Sequence, residues 1–463
     1  MDPVPPAYLE DASGLKGRAE AVFRPRTAEE AAAVLAEASQ TRTPVTVAGA
    51  GTGVTGGCVP EGGWVLSTER FGRLEIEPGR ARVGAGVLLS NLQFKAKASS
   101  QFYAPDPTEW SASVGGTIAT NASGSRSFLY GSTRRHLLAA TVALMDGSVR
   151  TFRLGDKIDF PYECLPQPLS RKHTAGYFLR ESGDYLQLFC GSEGTLGVVL
   201  EAEVVLLPQP ANLLSGVVFF KSDIDALDAV DCWRDVPGLR MLEFLDRPSL
   251  SLLRGAYPQI PYLAGAALLV EQIAEGADGD AEDAWLDRLE AAHAIEDSWF
   301  GVTEADRQRF REFRHKLPEI VNDKVRWNGF QKMSTDLAVP VSKNREMMRW
   351  YQQRLEREFP GKFVIFGHIG DAHVHVNILP ETEQDGRRGV EFLEAAARQS
   401  VALGGTVSAE HGLGKRKAHF LPLEFTPAQI EVMCAVKRRL DPHWLLGRGT
   451  LLPVPPEAGG GGA

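Results

Sequence analysis

Imidazole and carboxylate side chains are concentrated in two short segments of this 463-residue chain. The first runs from Gly367 to Asn377 with the sequence GHIGDAHVHVN, and the second, residues 408–412, reads SAEHG. The chain has ten histidines, so four of them in these segments form a strong local concentration. Neutral imidazole and carboxylate are ligands that a divalent metal such as zinc accepts. The cluster therefore indicates a metal site, acid/base chemistry or a packed polar core.

Short strands must position these side chains. Apolar residues predict a strand at 362–366, and His373 and His375 alternate along the segment that follows. Because successive side chains of a strand point to opposite faces, these two histidines should share one face. Three histidines within eight residues would be costly to bury without partners, which favours a functional interpretation over simple packing.

Composition restricts the class of protein. The chain has 50 Lys and Arg against 59 Asp and Glu, a net charge of -9, and no basic patch of the kind a nucleic-acid-binding protein needs. Its five cysteines are far apart with no CxxC pair, which argues against iron–sulfur and zinc–thiolate sites and for a reducing compartment. We find no secretory signal and no apolar run that could span a bilayer. We therefore expect a cytoplasmic protein, and peripheral association with the inner membrane stays open.

The order of predicted elements indicates two mixed α and β domains followed by a tail. An alternating strand at 198–207 ends at Pro208 and Pro210, which mark the domain boundary. Before it we predict a capped helix at 27–39 and a hairpin at 137–154 with a type I′ turn at Asp146-Gly147. After it, strands and helices alternate in a way that suits an antiparallel sheet flanked by helices. Residues 453–463 predict a disordered tail.

A glycine-rich loop at 49–57 follows a predicted strand. Gly51 to Gly56 matches GxGxxG, but a Rossmann turn also needs a helix that begins at the last glycine. The next residues, GCVPEGG at 57–63, cannot start one. Five glycines in nine residues instead expose backbone N–H groups along a bend, which suits a pyrophosphate. Two further Gly/Ser/Thr-rich stretches, at 113–124 and 191–197, would let a flat ligand approach the backbone.

These motifs together resemble a known family. GAGTGVTGG, SVGG, NASG and GSEGTLG, with PDP at 105–107 and YG at 130–131, are similar to the FAD domain of the vanillyl-alcohol oxidase superfamily. GHIGDAHVHVN and SAEHGLGKRK resemble the C-terminal domain of FAD-linked oxidases. The resemblance covers residues 17–452. It points to the branch that contains D-lactate dehydrogenase, the glycolate oxidase catalytic subunit and D-2-hydroxyglutarate dehydrogenase.

The resemblance implies an α+β fold: a PCMH-type FAD-binding domain of two subdomains at 17–210, and an FAD-linked oxidase C-terminal domain at 211–452 whose last helices return toward the flavin. Relatives that attach FAD covalently use a histidine near the glycine loop, and this loop has none, so FAD should be non-covalent. The implied FAD contacts are Gly49, Ala50, Gly51, Thr52, Gly53, Gly56, Gly57, Pro105, Asp106, Ser113, Gly115, Gly116, Asn121, Ser123, Gly124, Gly131, Glu193, Gly194, Gly197 and Val198.

The resemblance also implies metal ligands at His368, His375 and Glu410, with zinc as the first choice and manganese or iron as alternatives. His411 matches the general base of the family. Arg314 matches the arginine that binds the substrate carboxylate, and Lys332 is a looser match to a lysine of similar role. The implied activity is oxidation of a 2-hydroxy acid, such as D-lactate or glycolate, to the 2-oxo acid by hydride transfer to flavin N5. A separate electron acceptor is implied: a quinone, a cytochrome, an electron-transfer flavoprotein or an iron–sulfur subunit.

Three positions depart from the family pattern, and one of them is Phe178, where many relatives carry an acid. His373 stands where the pattern has asparagine, so it is an extra ligand, a partner of a ligand or a bystander. Residues 447–450 read GRGT in place of Asn-Pro-Gly-Lys. The alternatives to the main interpretation are a metal-independent FAD oxidase of another alcohol or lactone, an FAD-binding subunit of a larger complex, and a metal-dependent hydrolase without flavin.

Overall fold

Two sheets form the N-terminal part of the computed structural model, which describes residues 3–274 and 280–455. The first is parallel, with strand order β1-β3-β2, and packs beside helix α1. Helix α1 begins after Thr27, whose side chain accepts the Glu30 N–H, as the sequence predicts. The bounds are β1 Ala21–Phe23, α1 Ala28–Thr41, β2 Val45–Ala48 and β3 Trp64–Ser67.

The second sheet has five antiparallel strands in the order β4-β5-β9-β7-β8. A short antiparallel pair, β6 with β10, lies apart from it. The strands are β4 Leu74–Glu77, β5 Arg80–Gly84, β6 Gln101–Phe102, β7 Leu137–Ala143, β8 Val149–Arg153, β9 Val198–Val205 and β10 Leu207–Pro208. The short helices of this part are α2 Leu89–Lys97, α3 Val114–Ala119, α4 Ser127–Tyr130 and α5 Tyr185–Phe189.

An eight-stranded antiparallel sheet forms the C-terminal part. Its order is β14-β11-β13-β12-β17-β18-β15, and β16 also pairs with β18. Its strands are β11 Leu213–Phe220, β12 Leu239–Asp246, β13 Ala266–Ile273, β14 Trp299–Gly301, β15 Met333–Ser334, β16 Leu337–Ala338, β17 Phe363–Gly367 and β18 His373–Ile378. The α+β class and the antiparallel sheet flanked by helices are confirmed.

Helices cover this sheet and connect its strands. They are α6 Asp223–Trp233, α7 Arg247–Leu253, α8 Asp280–Ala291, α9 Glu304–Trp327, α10 Asn344–Glu358, α11 Glu383–Ala402, α12 Leu421–Glu424 and α13 Pro427–Leu440. After α13 the chain returns to the parallel sheet, where the Val45 N–H donates to the Leu445 carbonyl. The buried Lys437 ammonium holds this returning segment, because it donates to the Leu446 carbonyl as well as to Asp441.

The predicted hairpin at 137–154 is confirmed, but its type I′ turn is wrong. A type I′ turn needs positive φ at both central residues, and only Gly147 has it, at 80°. The Gly147 N–H donates to the Leu144 carbonyl, and the Leu144 N–H donates to the Ser148 carbonyl. This pattern is a type I turn closed by a glycine bulge, in which the Asp146 side chain accepts the Ser148 N–H.

Two other elements differ from the sequence prediction. The strand expected at 333–339 is two short strands, β15 and β16, separated at Thr335 and Asp336. Strand β12 was not predicted, because the charged residues Arg240 and Glu243 interrupt its apolar pattern although both are buried. The predicted tail lies outside the described residues from residue 456 onward. Within the described ranges, no helix combines the length and apolar character needed to cross a bilayer.

Candidate active site

Three predicted metal ligands converge on one point. The Nε2 atoms of His368 and His375 lie 3.2 and 3.1 Å from the same oxygen of Glu410, Oε1. His368 follows β17, His375 lies on β18, and Glu410 comes from a loop after α11. His373 joins them, since one donor atom from each of the four residues lies within 4.8 Å of the others. The donor set and its spacing fit a divalent metal.

The second ring nitrogen of His368 and that of His375 already have hydrogen-bond partners. His368 Nδ1 lies 2.5 Å from Glu243 Oε1, and His375 Nδ1 donates to the Thr335 carbonyl oxygen at 3.0 Å. Hydrogen bonds at Nδ1 leave Nε2 as the ligand atom and fix the direction of the ring. The arrangement therefore has both the ligands of a metal site and the partners that orient them.

The negative charge of Glu410 is surrounded by positively charged and hydrogen-bonding groups. Burial would raise the pKa of Glu410, but His368 and Lys172 hold it well below its usual range. Burial acts to lower the pKa of His368, yet Glu243 and Glu410 raise it to about 9. A divalent cation held between these residues would replace the proton on His368 Nε2. Ser123 and Lys172 donate to the other oxygen of Glu410, each at 2.9 Å.

The buried carboxylate of Asp336 holds the loop that carries Glu410 and His411. It accepts the backbone N–H of Glu410 at 3.1 Å, that of His411 at 3.0 Å and the Ser408 hydroxyl at 2.8 Å. Glu193 does the same further along, because its two oxygens accept the N–H groups of Leu413 and Gly414. The loop is thus fixed at both ends by carboxylates from other segments.

His411 lies beside the candidate metal ligands and faces the cavity. Its ring stacks on that of His375, with centres 5.4 Å apart and planes 15° apart, and its side chain is 33% exposed. Its Nε2 lies 3.7 Å from Glu410 Oε1. Burial lowers the pKa of His411 to about 4, although Asp336 and Glu410 act in the opposite direction. The ring is therefore neutral at neutral pH and can accept a proton.

Arg314 and Lys332 lie on the walls of the same cavity. Arg314, on α9, donates from Nε to Glu243 Oε2 at 2.8 Å and from Nη1 to Thr108 Oγ1 at 3.2 Å. Glu243 therefore links the substrate-binding candidate Arg314 to the metal-ligand candidate His368. Burial and the nearby Lys417 lower the pKa of Lys332 to about 8. Both residues place positive charge where a carboxylate could bind.

One large cavity, of about 840 Å³, extends from the glycine loop to this cluster. It is lined by 14 of the 20 predicted FAD contacts, together with His368, His375, Glu410, His411, Arg314 and Lys332. The predicted FAD contacts outside its lining are Gly56, Pro105, Asp106, Asn121, Gly131 and Val198. Some of these shape the walls: Asp106 accepts the Trp110 indole N–H, and Asn121 accepts the Arg134 N–H.

Comparison with known proteins decides the family. A family model described as "FAD linked oxidases, C-terminal domain" matches residues 209–451, and one described as "FAD binding domain" matches residues 19–153. The chain belongs to the FAD-linked oxidases. It is an FAD-linked oxidoreductase, which confirms the family that the sequence motifs resemble.

Among its relatives, a D-lactate dehydrogenase of Archaeoglobus fulgidus is 31% identical over 93% of this chain and 91% of its own. The glycolate oxidase subunit GlcD of Bacillus subtilis is 30% identical over 93% of this chain and 88% of its own. A solved structure of alkyldihydroxyacetonephosphate synthase superposes with a TM-score of 0.68 at 16% identity, covering 92% of this chain and 76% of the other. That last similarity supports the fold alone.

The glycine loop of this FAD-linked oxidase suits the pyrophosphate of FAD. Within the described part of the chain, no backbone N–H of residues 50–57 donates a hydrogen bond to protein. Such groups need acceptors, and a bound diphosphate supplies several. No helix follows the loop, as the sequence predicts. Packing is also close, because a Cβ on Gly49 would lie 2.6 Å from Ser113 Oγ.

Gly124→Ala should reduce flavin retention and thermal stability. A Cβ at Gly124 would lie 1.9 Å from the Asp106 carbonyl oxygen, so the two cavity-lining segments must separate. Overpacking of this kind costs about 1–3 kcal/mol. The measurements are the flavin-to-protein absorbance ratio after gel filtration and the unfolding temperature. Gly72→Ala, which meets nothing within 4 Å, is the matched control. Equal flavin content in both variants would contradict the assignment of this wall.

Three residues of the site were missed in the sequence. Glu243 orients His368 and Arg314, Asp336 holds the Glu410–His411 loop, and Lys172 is buried against Glu410. Glu243 lies within the mostly apolar strand sequence LRMLEFLD, and Asp336 lies between the short strands β15 and β16 in the sequence STDLAVP. A charged residue in such a position needs a buried partner, and that requirement was the available signal.

Proposed function

We propose that this FAD-linked oxidoreductase oxidises a 2-hydroxy acid, such as D-lactate, glycolate or a related D-2-hydroxy acid, to the 2-oxo acid. One observation carries the proposal: the His368–His375–Glu410 cluster, His411 and Arg314 open into the cavity lined by the flavin loops. The relatives named D-lactate dehydrogenase and glycolate oxidase subunit support the substrate class.

When bound, FAD accepts a hydride and a divalent cation polarises a substrate oxygen. We propose that His368, His375 and Glu410 hold the cation. Arg314 binds the substrate carboxylate through its free N–H groups while Glu243 fixes the orientation of the guanidinium. His411 takes the proton of the substrate hydroxyl. Lys332 adds positive charge to the same wall. Because the flavin must be reoxidised after each turnover, the proposal includes a separate electron acceptor.

The test is anaerobic mixing of the purified, flavin-containing protein with a panel of D- and L-2-hydroxy acids. The expected result is bleaching of the flavin absorbance by one stereochemical series, with the 2-oxo acid as product. Metal content is measured alongside, and the panel is repeated after chelation. No bleaching by any acid would overturn the function. Bleaching at an unchanged rate in metal-free protein would overturn the metal part alone and would favour a metal-independent oxidase.

Arg314→Lys should lower the kcat/KM for the preferred acid by roughly 10- to 150-fold, because a charge-assisted hydrogen bond contributes about 1.5–3 kcal/mol. Lysine keeps the charge but loses the planar fork that pairs with a carboxylate. The measurement is the dependence of the anaerobic flavin-reduction rate on acid concentration. Arg309→Lys, at an exposed position on the same helix α9, is the control. Equal values for both variants would remove Arg314 from substrate binding.

A further inference from the structure

We infer that His373 is a fourth protein ligand of the metal, giving a site of three imidazoles and one carboxylate. The inference concerns the metal in the proposed function and rests on that part of it. His373 stands where the family pattern has asparagine, so the pattern assigns it no metal-binding role.

His373 is fully buried, and its contact with the Asp336 carboxylate is long. Its exposed fraction is 0%, and neither ring nitrogen makes a hydrogen bond to any described residue. Leaving a buried polar group unsatisfied costs about 1–3 kcal/mol. A buried histidine without hydrogen bonds is therefore expected to make another interaction, such as metal ligation, that offsets this cost. The other two histidines of the cluster have partners at both ring nitrogens. His373 is therefore the member of the cluster whose ring chemistry is unexplained.

The position of His373 fits ligation. Its ring centre lies 5.2 Å from that of His368 and 4.6 Å from that of His375. Two nitrogens bound to one metal at about 2.0–2.1 Å can be at most about 4.2 Å apart. The four donor atoms lie within 4.8 Å of one another, close to this limit.

Asp336 is the competing partner. His373 Nε2 lies 3.4 Å from Asp336 Oδ1. The two oxygens of Asp336 accept three donors, from Ser408, Glu410 and His411, at 2.8, 3.1 and 3.0 Å. The contact with His373 is longer than any of these three hydrogen bonds, so Asp336 holds the loop more closely than it holds His373.

A fourth protein ligand also changes the choice of metal. Tetrahedral zinc with four protein ligands is a closed site with no position for substrate. A substrate oxygen would then raise the coordination number above four, which zinc reaches by expanding to five ligands and which six-coordinate Mn²⁺ and Fe²⁺ accommodate more readily.

X-ray absorption of the full-length protein loaded with Mn²⁺ alone tests the inference directly. Wild type should show three imidazoles at the metal and His373→Asn two. Manganese affinity of the variant should fall by about 10- to 100-fold or more, because even residues that only orient ligands contribute that much. His443→Asn, at an exposed histidine, should change neither value. Flavin content and the unfolding temperature report whether each variant is folded.

Two imidazoles in wild type, or unchanged affinity in folded His373→Asn, would overturn the inference. Either result would mean that His373 interacts with the Asp336 carboxylate and does not bind the metal. Neither readout depends on turnover, so the outcome is distinct from that of the acid panel. Three imidazoles with no oxidation of any 2-hydroxy acid would sustain the metal site and reject the proposed function. A protein that binds no manganese, zinc or iron but is bleached by an acid would reject the metal site and sustain the oxidation.

Discussion

His411→Asn should slow reduction of the bound flavin by the preferred 2-hydroxy acid by about 10²- to 10⁴-fold, the usual contribution of a positioned general base. Asparagine cannot take the hydroxyl proton at this position. Its effect on the loop should be small, because Asp336 holds the backbone N–H of residue 411 rather than the ring. The measurement is the single-turnover rate of flavin bleaching under anaerobic conditions, at saturating acid.

Two controls separate proton transfer from binding. Flavin content and metal affinity of His411→Asn should match those of wild type, since the ring lies 3.7 Å from Glu410 and donates no hydrogen bond to it. His443→Asn should reduce flavin at the wild-type rate, because that residue is exposed and does not line the cavity. An undiminished rate in His411→Asn would exclude it as the base.

The parts of the site that lie in short local motifs could be predicted from the sequence. GHIGDAHVHVN places His373 and His375 on one face of a strand by alternation, and it places His368 just before the short turn that leads into that strand. The glycine-rich loops could also be recognised from the sequence, because few residues other than glycine present several backbone N–H groups to one ligand. Most of the site residues predicted from these motifs line the cavity that extends from the glycine-rich loops to the histidines.

Contacts between distant segments could not be predicted in this way. Glu243 lies 125 residues before His368, and Lys172 lies 238 residues before Glu410. Only the pairing of β12 with β17, where Phe244 lies opposite Gly367, brings Glu243 to His368. From the sequence alone, a charged side chain is predicted to lie on the surface, because the partner that would allow its burial is not known. For the same reason the apolar pattern does not predict β12, whose buried Arg240 and Glu243 both belong to ion pairs.

Glu243→Gln should weaken metal binding by about 10- to 100-fold and also raise the KM for the 2-hydroxy acid. Glu243 accepts from His368 Nδ1 with one oxygen and from Arg314 Nε with the other. Burial would raise its pKa, but Arg314 and His368 hold the pKa far below its ordinary value, so the carboxylate is ionised. An amide has one oxygen and one NH₂, so it can accept from only one of these two donors. The other donor is then left facing an NH₂ group.

The matched control is Glu271→Gln, which also removes a buried charge from the same sheet. Glu271 pairs with Arg240 at 2.6 Å and is not part of the cavity wall. Breaking a buried ion pair is expected to cost about 3–5 kcal/mol of unfolding free energy, so both variants should melt at lower temperature. Only Glu243→Gln should also lose metal affinity and acid affinity, because only Glu243 joins a metal ligand to the substrate arginine. Equal metal affinity and equal KM in the two variants would reduce Glu243 to a structural ion pair.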